Sequence, residues 1–219
     1  MEKQVKIKIC GLRTPADVAA VNAVLPEYAG FIFVPMRRRY IAPAQAAILC
    51  QQLDPRIRPV GVFVDARVED ILEALEHCPF NMVQLHGAED DDYIARLRAA
   101  YRTRFAVERP DAAVDSELCI VKAFRVEDAD DIRRAEASAA DEILLDHGAG
   151  GTGERFDWTL LQHCRRRFFL AGGLTPDDVE NAIRVAQPYA VDVSSSLETD
   201  GRKDPEKIRR FVSAVRRSL

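Results

Sequence analysis

Several features are missing from this sequence, and each absence narrows the reading. No apolar run approaches the length that spans a bilayer, and the opening MEKQVKIKIC lacks the apolar stretch of a secretory signal. The five cysteines, at 10, 50, 78, 119 and 164, are scattered and never spaced as CxxC, so they read as reduced thiols rather than a disulfide framework or a zinc site. The four histidines, at 77, 86, 147 and 163, show no HExxH or comparable ligand spacing, and no metal is expected. Excess positive charge is lacking too. The net charge is −4, and the basic clusters Arg37 to Arg39 and Arg165 to Arg167 are too short to form a tract, which argues against nucleic acid as a partner. A cytoplasmic protein with no membrane partner is expected.

What remains is an ordinary globular composition, 47% hydrophobic and 30% charged over 219 residues, enough for one sizeable core and short for two. We therefore expect residues 1–219 to form a single domain. Short apolar runs alternate with amphipathic segments from end to end. Strands are expected at Val5 to Cys10, Gly30 to Val34, Val60 to Val64, Met82 to His86, Ile120 to Phe124, Glu142 to Asp146, Phe168 to Ala171 and Ala190 to Ser194. Thr14-Pro15 with Asp17 is a helix start, and Thr175-Pro176-Asp177-Asp178 repeats its grammar before VENAI. Ile208, Phe211, Val212 and Val215 form the stripe of a helix that covers a sheet. Eight strand-then-helix units of this length predict an α/β fold, the (β/α)8 or TIM barrel. The alternative, an open doubly wound sheet, wants a glycine-rich fingerprint after the first strand, and CGLRTP has none.

Alternation within the strands assigns their faces. Val5/Ile7/Ile9, Val60/Val62/Val64, Val83/Leu85 and Val191/Val193 are expected to point outward under the helices. Lys6/Lys8/Cys10, Gln84/His86, Lys122, Glu142/Leu144/Asp146 and Asp192/Ser194 are expected to point inward. Buried charges are costly unless paired, so Lys8 and Lys122 should meet Glu142, Asp146 and Asp192 in a central network, with Lys6 nearer the bottom rim. Cys10 and Asp146 stand apart, because each is the last inward residue of its strand, at the carboxyl end where barrel active sites lie. A strand-end cysteine is also read as a small buried hydrophobe. His86 lines the same mouth with no catalytic role assigned.

Gly172-Gly173 after the seventh strand and Ser194-Ser195-Ser196 after the eighth would offer backbone N–H groups and hydroxyls to one anion, at the usual phosphate position of this fold. With KICGL, GFIF followed by RRY, VGVFVD, VQLHG, LLDHGAGGTGERFDW, LAGGL with VENAI, and AVDVSSSLE with GRKD, the chain resembles the phosphoribosylanthranilate isomerase family along essentially its whole length. The resemblance implies an intramolecular aldose-ketose isomerase of tryptophan biosynthesis. Its reaction is the Amadori rearrangement of N-(5'-phosphoribosyl)anthranilate to 1-(o-carboxyphenylamino)-1-deoxyribulose 5-phosphate, with no cofactor.

By the same resemblance Asp146 is the general acid on the furanose ring oxygen, Cys10 the general base at C2', and Arg39 the ligand of the anthranilate carboxylate. Gly151 and Gly153 belong to a loop over the substrate, and Gly172, Gly173, Ser194, Ser195 and Ser196 to the phosphate site. These residue types suit the tasks. A carboxyl near a dianionic phosphate has reason to stay protonated, a thiol on the face of Lys8 has a cation to favour thiolate, and a guanidinium fork matches a planar carboxylate. Ser196 stands where the family usually has glycine, a strain of roughly 1 kcal/mol if a positive φ is needed there. A small-molecule substrate and a monomeric or homodimeric state are expected. Other readings are a different sugar-phosphate barrel enzyme, or a non-catalytic sugar-phosphate binding module, which would need neither Cys10 nor Asp146.

Overall fold

In the computed structural model, which describes residues 4–78, 80–105, 117–146 and 157–218, the apolar runs become eight parallel strands that close on themselves. In chain order they are β1 (Lys6–Cys10), β2 (Tyr28–Ile32), β3 (Arg58–Phe63), β4 (Met82–Leu85), β5 (Cys119–Arg125), β6 (Glu142–Asp146), β7 (Phe168–Ala171) and β8 (Ala190–Val193). Each pairs with the next, and β1 closes on β8 with Lys8 beside Asp192. Around them lie α1 (Pro15–Asn22), α2 (Pro43–Cys50), α3 (Val68–His77), α4 (Asp91–Phe105), α5 (Ala129–Ala137), α6 (Val179–Ala186) and α7 (Pro205–Arg217). After β6 the described residues form a 3-10 helix, Trp158–His163, where an α-helix was expected.

Local chemistry explains several boundaries. Thr14 accepts from the Asp17 N–H, and the Asp17 carboxylate accepts in return from Thr14, a complete capping box with Pro15 at the first helical position. The second Thr-Pro start behaves differently. Asp178 accepts from the Thr175 N–H at 2.7 Å, closing a turn first, and α6 begins only at Val179. The predicted stripe on α7, Ile208, Phe211, Val212 and Val215, is buried. β2 lies two residues ahead of its expected span because Phe33 and Val34 continue the apolar run after the ladder ends. An outer shell that includes Ile7, Ile9, Val83, Leu85, Val191 and Val193 packs under the helices. Each such side chain contributes about 1.5–3 kcal/mol on burial, and their sum drives closure.

Two face assignments need correcting. Val60 belongs to the inner cluster with Tyr28, Met82, Leu144 and Phe169, while Phe63 packs outward. VGVFV is apolar on both faces, so alternation carried no polarity signal there. Lys122 pairs in register with Leu85 and Ile143, both in the outer shell, and so starts on the outward face. Its long stem takes the ammonium over the strand end to the Gly87 carbonyl at 2.7 Å and to Glu89 at 3.4 Å. The expected central network therefore reduces to one pair. Lys8 meets Asp192, whereas Glu142 pairs with Arg167 and Asp146 faces His86.

Candidate active site

At the centre of the barrel, Lys8 is 1% exposed and its Nζ lies 2.9 Å from both carboxylate oxygens of Asp192. Burial works against the ammonium, but Asp192 and Cys10 together more than offset it and hold Lys8 above its ordinary value. One pleat further up β1, Cys10 reaches the mouth. Two glycines make room around it. A Cβ on Gly30 would stand 2.7 Å from the Cys10 Sγ, inside any tolerable contact. Gly11, at φ +86°, turns the chain away, and a Cβ there would meet the Arg39 Cδ at 2.7 Å and the Ser194 Oγ at 3.2 Å. Thiol, arginine and serine are thus packed around two positions that only glycine fills.

The ionisation of Cys10, which spacing left open, is set by opposing effects. Burial pushes the thiol up, Lys8 opposes this, and Asp192 reinforces it, so the free protein holds a thiol with its value raised. The nearby cation was read correctly from the strand face, but desolvation outweighs it.

Asp146 ends β6 with its Oδ2 3.5 Å from His86 Nε2. Gln84, one pleat back on β4, donates from Nε2 to His86 Nδ1 at 2.7 Å, which leaves Nε2 to carry the imidazole proton toward the carboxylate. The residue after His86 is clamped on both sides. Gly87 donates its N–H to Glu89 at 2.8 Å, and its carbonyl accepts from Lys122. Sequence reasoning left His86 without a role and passed over Glu89, which no local pattern marks.

Arg39 lies on the loop after β2. Its Nε donates to Glu198 Oε1 at 2.6 Å and its Nη2 to Glu198 Oε2 at 3.3 Å. Glu198 follows β8 in a two-stranded hairpin, β9 (Glu198–Thr199) and β10 (Arg202–Lys203), turned by Asp200 at φ 50° and Gly201 at φ 75°. Lys203, opposite Glu198 in this hairpin, sends its Nζ to Glu198 at 3.3 Å and to the Ser194 carbonyl at 2.9 Å. Burial works to raise the Glu198 carboxyl, but the Arg39 bond and the Lys203 charge overcome it and hold it below the usual range. Burial likewise lowers the Lys203 ammonium, with Glu198 opposing. Neither Glu198 nor Lys203 was singled out from sequence, although the Asp-Gly pair between them is a recognised hairpin signal.

The anion-binding candidates come together at the ends of β7 and β8. Gly172 and Gly173 have φ of 105° and 65°, and Ser195–Leu197 forms a 3-10 turn. Ser196 donates to the Leu174 carbonyl and so ties the two loops to each other. Its φ is not positive: among the described residues only Leu25, Asp65, Gln187 and Asp200 are non-glycine residues in that region. The feared strain is absent, and the hydroxyl is spent on the scaffold. Ser194 donates to the Cys10 carbonyl at 2.9 Å, joining the serine run to β1. Gly151 and Gly153 lie outside the described residues.

A closed (β/α)8 barrel whose carboxyl end gathers a thiol, a carboxyl, an arginine and a glycine–serine anion turn belongs with the barrel enzymes that handle phosphorylated small molecules. The comparisons are more specific. Residues 7–117 and 107–214 match the family model described as N-(5'-phosphoribosyl)anthranilate isomerase, so the chain belongs to that family. The N-(5'-phosphoribosyl)anthranilate isomerase of Lactiplantibacillus plantarum is 42% identical over 94% of this chain and 90% of its own length. That of Endomicrobium trichonymphae is 40% identical over 96% and 98%. The crystal structure of the Thermotoga maritima phosphoribosyl anthranilate isomerase superposes with a TM-score of 0.81 at 33% identity, covering 96% of this chain and 98% of that one. A structure of the isomerase with reduced 1-(o-carboxyphenylamino)-1-deoxyribulose 5-phosphate gives 0.78 with the same identity and coverage. A 3-hexulose-6-phosphate synthase, 15% identical, shares the fold alone.

Proposed function

We propose that this chain converts N-(5'-phosphoribosyl)anthranilate to 1-(o-carboxyphenylamino)-1-deoxyribulose 5-phosphate in tryptophan biosynthesis, with Asp146 as general acid and Cys10 as general base and no cofactor. The observation that carries the assignment is the placement of these two groups as the last residues of β6 and β1, at one open end of a barrel of this family. Asp146 gives its proton to the furanose ring oxygen. The bond from that oxygen to C1' breaks, and the nitrogen lone pair closes a protonated C1'=N bond. Cys10, as thiolate, then takes the C2' proton, and those electrons form the C1'=C2' enolamine and return the nitrogen to neutrality. The enolamine becomes the ketone by gaining a proton at C1' and losing the one on the C2' oxygen. Lys8 is the cation that favours thiolate through this cycle.

The outer edge of Arg39 receives the anthranilate carboxylate, and the turns at Gly172, Gly173, Ser194, Ser195 and Ser196 receive the phosphate, with Gly151 and Gly153 above the substrate. The protein works in the cytoplasm on a small molecule, as a monomer or a homodimer. A dimeric state is described for the Thermotoga maritima enzyme, from which monomers were generated. Among the described residues no helix is long and apolar enough to cross a membrane. The test follows the anthranilate fluorescence of freshly prepared N-(5'-phosphoribosyl)anthranilate on addition of the protein. Enzymatic turnover is expected; an intact protein that leaves the signal at its uncatalysed drift is not this isomerase.

A further inference from the structure

We propose that Glu198 is the positioning residue that aims Arg39 at the substrate's aromatic carboxylate, and that the hairpin carrying it is a built support for this one recognition step. The inference rests on the reading of Arg39 given above. A guanidinium has two edges able to grip a carboxylate, and Glu198 takes only the one formed by Nε and Nη2. That leaves Nη1 and the second Nη2 hydrogen as a parallel pair facing away, the geometry a second planar carboxylate needs. The Arg39 side chain keeps 24% exposure, whereas Glu198 keeps 6%.

The support extends beyond one pair. Glu198 is also held by Arg38 at 2.5 Å and by Lys203 at 3.3 Å, so one buried carboxylate orders three cations and leaves a net positive cluster at the mouth. Lys207 donates to the Glu198 carbonyl at 2.7 Å and fixes the start of the hairpin. Arg13 bridges the two loops, donating to the Arg38 carbonyl at 2.9 Å and to the Gly201 carbonyl at 2.8 Å. The stem of Arg39 lies over Gly11, the residue that follows Cys10 in the chain. Glu198 therefore sets the distance between the point where the aromatic carboxylate is gripped and the point where Cys10 acts.

The sign of one effect decides the matter. Glu198 is an anion near the place of an incoming anion, so if it were only a structural charge, neutralising it would tighten binding of a carboxylate. If it positions Arg39, neutralising it frees the guanidinium and weakens that binding. The probes are reduced 1-(o-carboxyphenylamino)-1-deoxyribulose 5-phosphate and the same molecule without the ortho carboxylate, both bound without turnover. The ratio of their dissociation constants reads the carboxylate alone and cancels any loss of folded protein. The wild type should prefer the carboxylated ligand by about ten- to a hundredfold, the scale of a charge-assisted bidentate pair. Glu198→Gln and Glu198→Ala should bring the preference within about threefold, and Arg39→Ala should abolish it. A preference unchanged or increased in both Glu198 variants, but lost in Arg39→Ala, overturns the positioning role and leaves the reading of Arg39 standing. A preference intact in Arg39→Ala overturns that reading, and the inference with it.

Discussion

The two ends of the barrel hold their cations with different help from aromatic rings. At the amino-terminal rim, Lys6 sits 4.9 Å from the centre of the Tyr189 ring and 5.8 Å from that of Tyr28, while Arg167 lies 4.7 Å above Tyr189 and pairs with Glu142. At the carboxyl end Arg39 and Lys203, and at the centre Lys8, are each bound to a carboxylate oxygen by directional bonds. An aromatic face attracts a cation without fixing its donors, which serves where packing is all that is required. A carboxylate fork fixes direction, which a site must have if its free donors are to meet a ligand. At the amino end aromatic faces share the work with one fork, Arg167 on Glu142, whereas Arg39 and Lys203 at the mouth depend on a single carboxylate, Glu198, for their direction.

The comparison breaks hardest at Lys8. Lys8→Met leaves Asp192 buried without its partner and should cost about 3–5 kcal/mol of unfolding free energy, with Lys8→Met/Asp192→Leu recovering most of it. Denaturant titration of the three proteins checks this, and a small loss in the single variant would mean that water reaches Asp192. Next come the proposed acid and base. Cys10→Ala and Asp146→Asn should each lower kcat by about two orders of magnitude, roughly 2.7 kcal/mol, with thermal midpoints near that of the wild type. Wild-type rates in both would remove the assigned roles.

Since burial raises the Cys10 thiol and the base acts only when deprotonated, kcat/KM should still be climbing as pH passes the ordinary thiol range of about 8.5. A limb that levels at neutral pH would show that Lys8 outweighs burial in the free enzyme. The smallest effect belongs to the other end. Arg167→Met should cost about 2 kcal/mol of stability, less than Lys8→Met because Arg167 itself is largely exposed but still appreciable because Glu142 loses its partner while buried, and leave kcat unchanged. A fall in kcat there would show that the two ends are coupled.

Strands whose faces differ in polarity were legible. β1 alternates lysine and cysteine with valine and isoleucine, β6 ends on an acid, and β8 sets Asp192 between valines, so the sides and ends of Cys10, Asp146 and Asp192 followed from spacing alone. The Thr14 cap, the α7 stripe and the order of eight units were equally local. Where both faces are apolar, alternation is silent, and Val60 was misplaced for that reason; Lys122 was misplaced because a charged strand residue was read as inward, although its long stem carries the ammonium from the outer face over the strand end.

By itself, the sequence determined the barrel, the strand on which each candidate stands and the end at which it stands, because these depend on periods of two and of 3.6 residues and on turn chemistry within a few positions. Asp192 was one of three carboxylates expected to meet Lys8; which of them does so, and that Glu198 meets Arg39, was decided only by tertiary structure. Glu198 reaches Arg39 across 159 residues and Asp192 reaches Lys8 across 184. Such pairings are set by the register in which the sheet closes and by the reach of long side chains, and neither leaves a mark on the residues nearby. The ionisation of Cys10 belongs with them, since burial and the opposing charges of Lys8, Asp192 and Lys203 act on one thiol only after the barrel has closed around it.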